Sequence, residues 1–443
     1  MAILTQARPS TVRQLSRVKH REVSSFCFGL YIYFLIDFFL HLSQRIPGYG
    51  VVRPTLLLVL LITMSLLMQR DVLKGRGQDK PFRIIVVLSV YFLISVPFVE
   101  WPGSVLKNNI PEFVKAVVFL FFTALTVDSE RRLKVFLIVF LGCQVFRVLE
   151  PLYLNITTGY WGSKTHLSGG EFASRLAGAP SDVINPNELG FVIATVIPFL
   201  YYFLWQGRVK SKLFFVLLML PLLYALALTM SRGAMVALLV VFWMIFKESN
   251  KKVFLICALM AGALVFWSNL SPVQKDRYLS LVSKESQANA TVEGRFEGMR
   301  KEFELGLRRP IFGHGLGTTG EAKAHVYGKT QAAHNLYAEV LIETGIIGFI
   351  IFLAFMKSIF GELKKNKEYL AKLHSGNNFY LRLNTSLIAV FWMYAVYSIN
   401  YWGLSVYYWY LLAGVVICTG RLLKNQVVVD DYKSETSHRY RMS

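Results

Sequence analysis

The stretch from Gly313 to Gly348, GHGLGTTGEAKAHVYGKTQAAHNLYAEVLIETGIIG, joins a polar, glycine-rich loop to a long apolar run through a single histidine. Gly313, Gly315, Gly317 and Gly320 allow a tight backbone path that side chains would block. Beside His334 stands Asn335, whose short polar side chain suits the N-terminus of a helix. From Leu336 the residues are apolar as far as Met356, interrupted by Glu339 and Glu343. That length fits the ~20 residues of a membrane-spanning helix, and two acids four apart share one of its faces. Carboxylates there must look into protein or water. A histidine, two acids and the unpaired N–H groups of a helix start are therefore expected to converge near one membrane surface.

Composition extends this reading to the whole chain. Its 443 residues are 54% hydrophobic and 17% charged, which excludes an ordinary soluble domain and defines an all-α polytopic membrane protein. A net charge of +21 would suggest nucleic acid in a soluble protein. Here the basic residues lie between apolar runs, where they set topology, and no nucleic-acid partner is expected. Cys27, Cys143, Cys257 and Cys418 sit in apolar runs with no CxxC pair, so neither disulfides nor a thiolate metal site is expected.

Apolar runs predict about twelve transmembrane helices in a single membrane domain over residues 1–443. The first, after a basic stretch, resembles a signal peptide, but no small-residue cleavage site follows and an uncleaved span is expected. With both termini in the cytoplasm, 30 of the 48 Lys and Arg residues fall in cytoplasmic segments, as the positive-inside rule requires. Two outer segments are long, about 153–186 and 269–335. The second is a large outer loop between spans nine and ten, and the polar stretch 428–443 is expected to be a disordered cytoplasmic tail.

Three further places carry candidate chemistry. In TMSRGA, 229–234, Ser231 can cap the next helix and leave Arg232 in its first turn, where guanidinium and N–H groups both favour an anion; an interfacial arginine reaching for water has the same pattern. In the outer loop, Val292, Phe296, Met299, Phe303 and Leu307 recur at helical spacing, an amphipathic helix with Arg295 at the edge of the apolar face and Glu297–Lys301 as a surface pair. In RLAGAPSDVINPNELG, 175–190, Asn185 is a cap, Pro186 the first helical residue and Glu188 part of the first turn, so another set of unpaired N–H groups is expected to face outward. His166, His314, His325 and His334 lack metal-ligand spacing, and no metal or cofactor is expected.

SRGA after one span, GR in an outer helix, PIFGHGLG, and AHNLYAEVLIETGIIG opening a span occur in this order over residues 175–348. The combination resembles the O-antigen ligase and O-antigen polymerase family of bacterial envelope glycosyltransferases. The resemblance implies a helical bundle of about twelve spans in the bacterial inner membrane, a periplasmic active site, a polyprenyl-diphosphate-linked glycan donor and no metal. Arg232 and Arg295 become the phosphate-binding arginines and His334 the catalytic histidine. Arg175, Asn187, Asn335 and Glu339 join them as substrate-binding candidates, Glu339 either orienting His334, binding sugar, or packing as a buried acid. The acceptor is a glycan, a lipid A core or another hydroxyl, and membrane lipids surround the chain. The competing class, a multi-span transporter or flippase, is expected to show internal repeats and charged or broken helices near the midplane; no repeat is visible in the sequence.

Overall fold

The computed structural model describes residues 22–166, 172–268, 275, 289–373 and 378–442. In chain order the main helices are α1 (Ser25–Leu40), α2 (Pro54–Met68), α3 (Lys80–Ser95), α4 (Ile110–Thr126) and α5 (Glu130–Thr158). A hairpin of β1 (Gly162–His166) and β2 (Phe172–Leu176) follows. Then come α6 (Pro186–Leu200), α7 (Val209–Thr229), α8 (Arg232–Glu248), α9 (Lys252–Ser268), α10 (Asn289–Arg308) and α11 (Thr319–Tyr327). The chain closes with α12 (Leu336–Lys372), α13 (Asn378–Tyr397) and α14 (Tyr408–Met442).

Each of the twelve apolar runs contains a helix. Among the described residues, eight helical segments are long and apolar enough to cross a membrane. The other four, α1, α2, α8 and α9, have 15 to 17 residues and reach only about 25 Å at 1.5 Å per residue, short of a ~30 Å hydrocarbon core. The chain is mostly helical, but it is not purely so: β1 and β2 pair antiparallel, Ser163 opposite Arg175, in the first long segment between helices. Strand pairing there gives the backbone N–H and C=O groups partners. The last helix runs on to Met442, through the polar stretch for which disorder was expected.

At the centre lies α6, buried at every residue from Leu189 to Leu200, as a uniformly apolar helix should be. It packs against α5, α7, α8 and α13. Apolar burial drives little association between helices in lipid, so close backbone approach matters more. A Cβ on Gly190 would come within 2.5 Å of the Ala234 Cβ, which brings α6 and α8 together where Arg232 emerges. Likewise a Cβ on Gly414 of α14 would meet Thr123 of α4 at 2.7 Å.

The long helix α12 is broken at Gly345, where φ is 63° and ψ is −170°. Opened groups there are paired by the glycine loop: His314 N donates to Ile342 O at 2.8 Å, Gly315 N to Glu343 O at 3.0 Å, and Ile346 N to Pro310 O at 2.6 Å. Tyr91 of α3 donates its hydroxyl to Thr344 O at 2.6 Å. Non-helical backbone inside a membrane bundle is tolerated when protein satisfies it in this way. The glycine-rich loop therefore exists to lie against a helix. Gly313 and Gly317 have φ of 73° and 71°, and a Cβ on Gly313 would lie 2.5 Å from the Glu343 backbone. Gly320, expected to share this role, instead sits in the first turn of α11.

Candidate functional site

His334 and Asn335 sit where α12 begins. Asn335 Oδ1 accepts from Tyr337 N at 2.8 Å and Ala338 N at 3.1 Å, and Leu336 N donates to Ser398 O at 2.9 Å. The helix start expected to offer unpaired N–H groups is therefore capped from within. At α6, Asn185 accepts from Asn187 N and Glu188 N while Glu188 returns a bond to Asn185 N, a reciprocal box. Those groups are occupied too. Short polar caps at both helix starts outcompete an outside anion for the same donors.

The half-buried His334 ring has Nε2 2.8 Å from Gln331 Nε2. Its backbone N–H is gripped by Glu302 of α10, at 3.0 and 3.3 Å from the two carboxylate oxygens. Glu302 is 1% exposed and also accepts from Lys323 Nζ of α11 at 2.5 Å. Lys323 donates a second time to Ala332 O at 2.9 Å. One buried ion pair thus holds the backbone on both sides of Ala333 and fixes the point from which the imidazole projects.

Neither Glu302 nor Lys323 stands out in the sequence, because neither belongs to the apolar spacing of α10. Of that spacing Phe303 and Leu307 are exposed, Met299 is half-buried and the side chains of Val292 and Phe296 lie outside the described residues; among the described residues of α10, Glu302, Leu305 and Gly306 are buried. A Cβ on Gly306 would lie 2.9 Å from Leu341 and 3.1 Å from Ile342 N. The bare glycine lets α10 press its backbone onto α12. The expected surface pair is present, with Lys301 2.6 Å from Glu297. Met299 Sδ accepts from Asn335 Nδ2 at 3.6 Å, so α10 also touches the residue beside the histidine. Arg295 lies in α10 one turn before Met299; its side chain is outside the described residues.

Arg232 takes the first position of α8, capped by Ser231, whose Oγ accepts from Ala234 N at 3.3 Å. Its side chain is 6% exposed. The turn before it is held by Arg175 of β2, which donates to Thr229 O at 2.8 Å and to Asn187 Oδ1 at 3.0 Å. Ser231 Oγ donates to the same Asn187 oxygen at 3.0 Å. Arg175 and Asn187 thus position the Arg232 turn. Two adjacent residues join the two halves of the region: the Tyr397 hydroxyl donates to Asn187 O at 2.7 Å, and Ser398 O receives the first N–H of α12. The Tyr397 ring would lie 3.3 Å from a Cβ on Gly233.

Glu339 and Glu343 are both buried, as acids on such a helix must be. Glu339 Oε2 accepts from Gly403 N at 2.7 Å and Leu404 N at 3.2 Å, so it anchors the entry to α14. Glu343 accepts from Gly317 N at 2.7 Å and the Thr319 hydroxyl at 2.8 Å. Each acid ties a separate loop to α12. His314 is buried, with Nδ1 2.7 Å from Glu100 and Nε2 3.2 Å from Leu305 O, and serves the loop's packing. Among the described residues no three His, Cys, Asp or Glu side chains gather at one point.

A second buried pair escaped the sequence reading. Arg147 of α5 donates to both oxygens of Asp182, at 2.6 and 3.0 Å, and so pins the turn between β2 and α6. The available signal was an arginine inside the apolar run VFRVLEP, since a charge in such a run requires a partner.

The helices and the capped region around His334 define a polytopic membrane protein with a polar site built from loops at one end of its bundle. Residues 214–353 match the family model described as O-Antigen ligase. The match includes Arg232, Arg295, the glycine loop, His334 and both α12 acids. No curated protein matches the chain.

Proposed function

We propose that this protein transfers or polymerises a glycan from a polyprenyl-diphosphate-linked donor, at the periplasmic face of the bacterial inner membrane. All twelve helical runs cross the membrane in this reading, with both termini in the cytoplasm. The acceptor hydroxyl oxygen attacks the anomeric carbon of the donor sugar while its proton passes to His334. The bond from that carbon to the diphosphate breaks, and its electron pair leaves on the polyprenyl diphosphate.

Arg232 and Arg295 hold the departing charge. Two arginines present forked donors that suit phosphate oxygens, and they do this without a metal ion. An imidazole is the side chain suited to take up and release a proton at neutral pH. The observation that carries the reading is the grip of Glu302 and Lys323 on the His334 backbone inside the O-antigen ligase stretch. A rigid backbone with a half-buried ring is what a positioned base needs. Tyr397 and Ser398 place the starts of α8 and α12 side by side, which puts the arginine and the histidine on neighbouring helix ends.

The test measures donor binding and transfer on the same purified variants, in lipid, with excess EDTA. His334→Ala is expected to lower transfer by about 100-fold or more with donor binding nearly intact, the usual scale for loss of a general base. Arg232→Lys keeps the charge, loses the fork, and is expected to weaken both quantities. If His334→Ala abolishes donor binding while Arg232→Lys changes nothing, the roles are wrong. Loss of transfer in EDTA, restored by one divalent ion, would sink the metal-free step.

A further inference from the structure

A cavity of about 880 Å³ opens at the end of the bundle opposite His334. It is lined by the turn before α3, the first residues of α3, the last of α4, the last turns of α12 and the middle of α14. From Leu336 to Lys365 along α12 the separation is about 44 Å at 1.5 Å per residue, so the two sites lie on opposite sides of a bilayer.

Seven basic and four acidic side chains face this cavity. Each acid has a cation of the protein on it. Arg421 bonds Asp79, and Arg76 lies 3.0 Å from Asp128. Lys365 lies 2.7 Å from Glu362, and Arg132 3.7 Å from Glu22. Lys80, Arg83 and Lys424 are exposed lining residues with no carboxylate within 4.0 Å among the described residues. The surplus charge is therefore positive, and it sits over an apolar floor that includes Ile84, Ala124 and Ile417.

A second, apolar cavity of about 340 Å³ follows along the same two helices. Its α3 wall is Val86, Val90 and Leu93, and these continue at helical spacing from Arg83. Its α4 wall is Val114, Val118 and Phe121, one turn from Ala124. From Lys80 to Leu93 the groove runs about 20 Å, longer than the ~15 Å of one leaflet's hydrocarbon. A basic pocket heading an apolar groove matches a molecule with an anionic head and a long apolar tail.

We propose that an anionic phospholipid of the leaflet at this end binds here, its phosphate on Lys80, Arg83 and Lys424 and an acyl chain along the groove between α3 and α4. The site is separate from the proposed transfer site and rests on none of its residues. Delipidated protein in detergent is titrated with phosphatidylglycerol and with phosphatidylcholine, and bound lipid is counted by native mass spectrometry. The wild type is expected to prefer phosphatidylglycerol. Each basic residue near a membrane surface contributes about 5-fold to anionic-lipid binding, so Lys80→Gln/Arg83→Gln/Lys424→Gln is expected to lose between about 10- and 100-fold for phosphatidylglycerol and little for phosphatidylcholine. All three positions are exposed, and the variant is expected to fold. An absent preference, or one that survives the triple variant, overturns the proposal. So does displacement of the lipid by glycerol 3-phosphate at equal concentration, which would mark a site for soluble phosphates.

Discussion

Glu302→Ala tests whether a buried ion pair, and not the apolar face of α10, holds the histidine in place. In the native chain the Glu302 carboxylate carries three bonds: two from His334 N and one from Lys323 Nζ. Lys323 is itself only 7% exposed. Removing the acid leaves that ammonium on the Ala332 carbonyl without a counter-charge from Glu302, and breaking a buried pair on one side costs about 3–5 kcal/mol. Lys323→Met strands the carboxylate instead and is expected to cost a similar amount. The double variant Glu302→Met/Lys323→Met removes both charges and should recover most of the loss, because apolar groups of like volume replace a buried pair at little cost. What it cannot recover is the acceptor for His334 N–H, worth about 1–3 kcal/mol when a buried donor is left unpaired. Stability is followed by denaturant titration in mixed micelles and activity by glycan transfer. The expected pattern is two unstable single variants, a more stable double variant, and transfer that stays about 100-fold down in the double variant, the scale of a 1 Å displacement of a catalytic group. A Glu302→Ala protein with native stability and native transfer would refute the reasoning.

Gly345→Ala should destabilise the protein by at least about 1–3 kcal/mol, because its φ is +63° and an added Cβ would lie 2.4 Å from Ile311 O; a native denaturation midpoint would show that the break in α12 does not form. In a Cys257→Ser background, Lys329→Cys is expected to react from outside with a membrane-impermeant thiol reagent and Lys367→Cys is not, both positions being exposed at opposite ends of α12. Labelling of Lys367→Cys alone would invert the proposed topology.

Much of the fold was legible in the sequence because membrane helices obey a local rule. Backbone groups in lipid must pair within their own segment, so the apolar run, the cap and the breaker mark each helix without reference to the rest of the chain. Ser231, Asn185 and Asn335 were readable as caps, and Ser231→Arg232 as a helix start, on the same grounds. Burial of Glu339 and Glu343 followed from the cost of a carboxylate in lipid. Which groups would receive those acids was not readable, since Gly317 and Gly403 are remote along the chain and meet α12 only when the bundle closes. Glu302 and Gly306 of α10 were not readable as anchors for a related reason: Gly306 and the Glu302–Lys323 pair act through contacts with α12 and α11 that no window of sequence contains. The helix starts expected to offer free donors proved occupied, because a cap that can be named in the sequence also consumes the groups it caps. Sequence alone thus determined where the apolar helices lie, the caps that start several of them and the residue types available for chemistry; tertiary structure decided which of those residues act as anchors, because anchoring depends on what arrives from elsewhere in the chain.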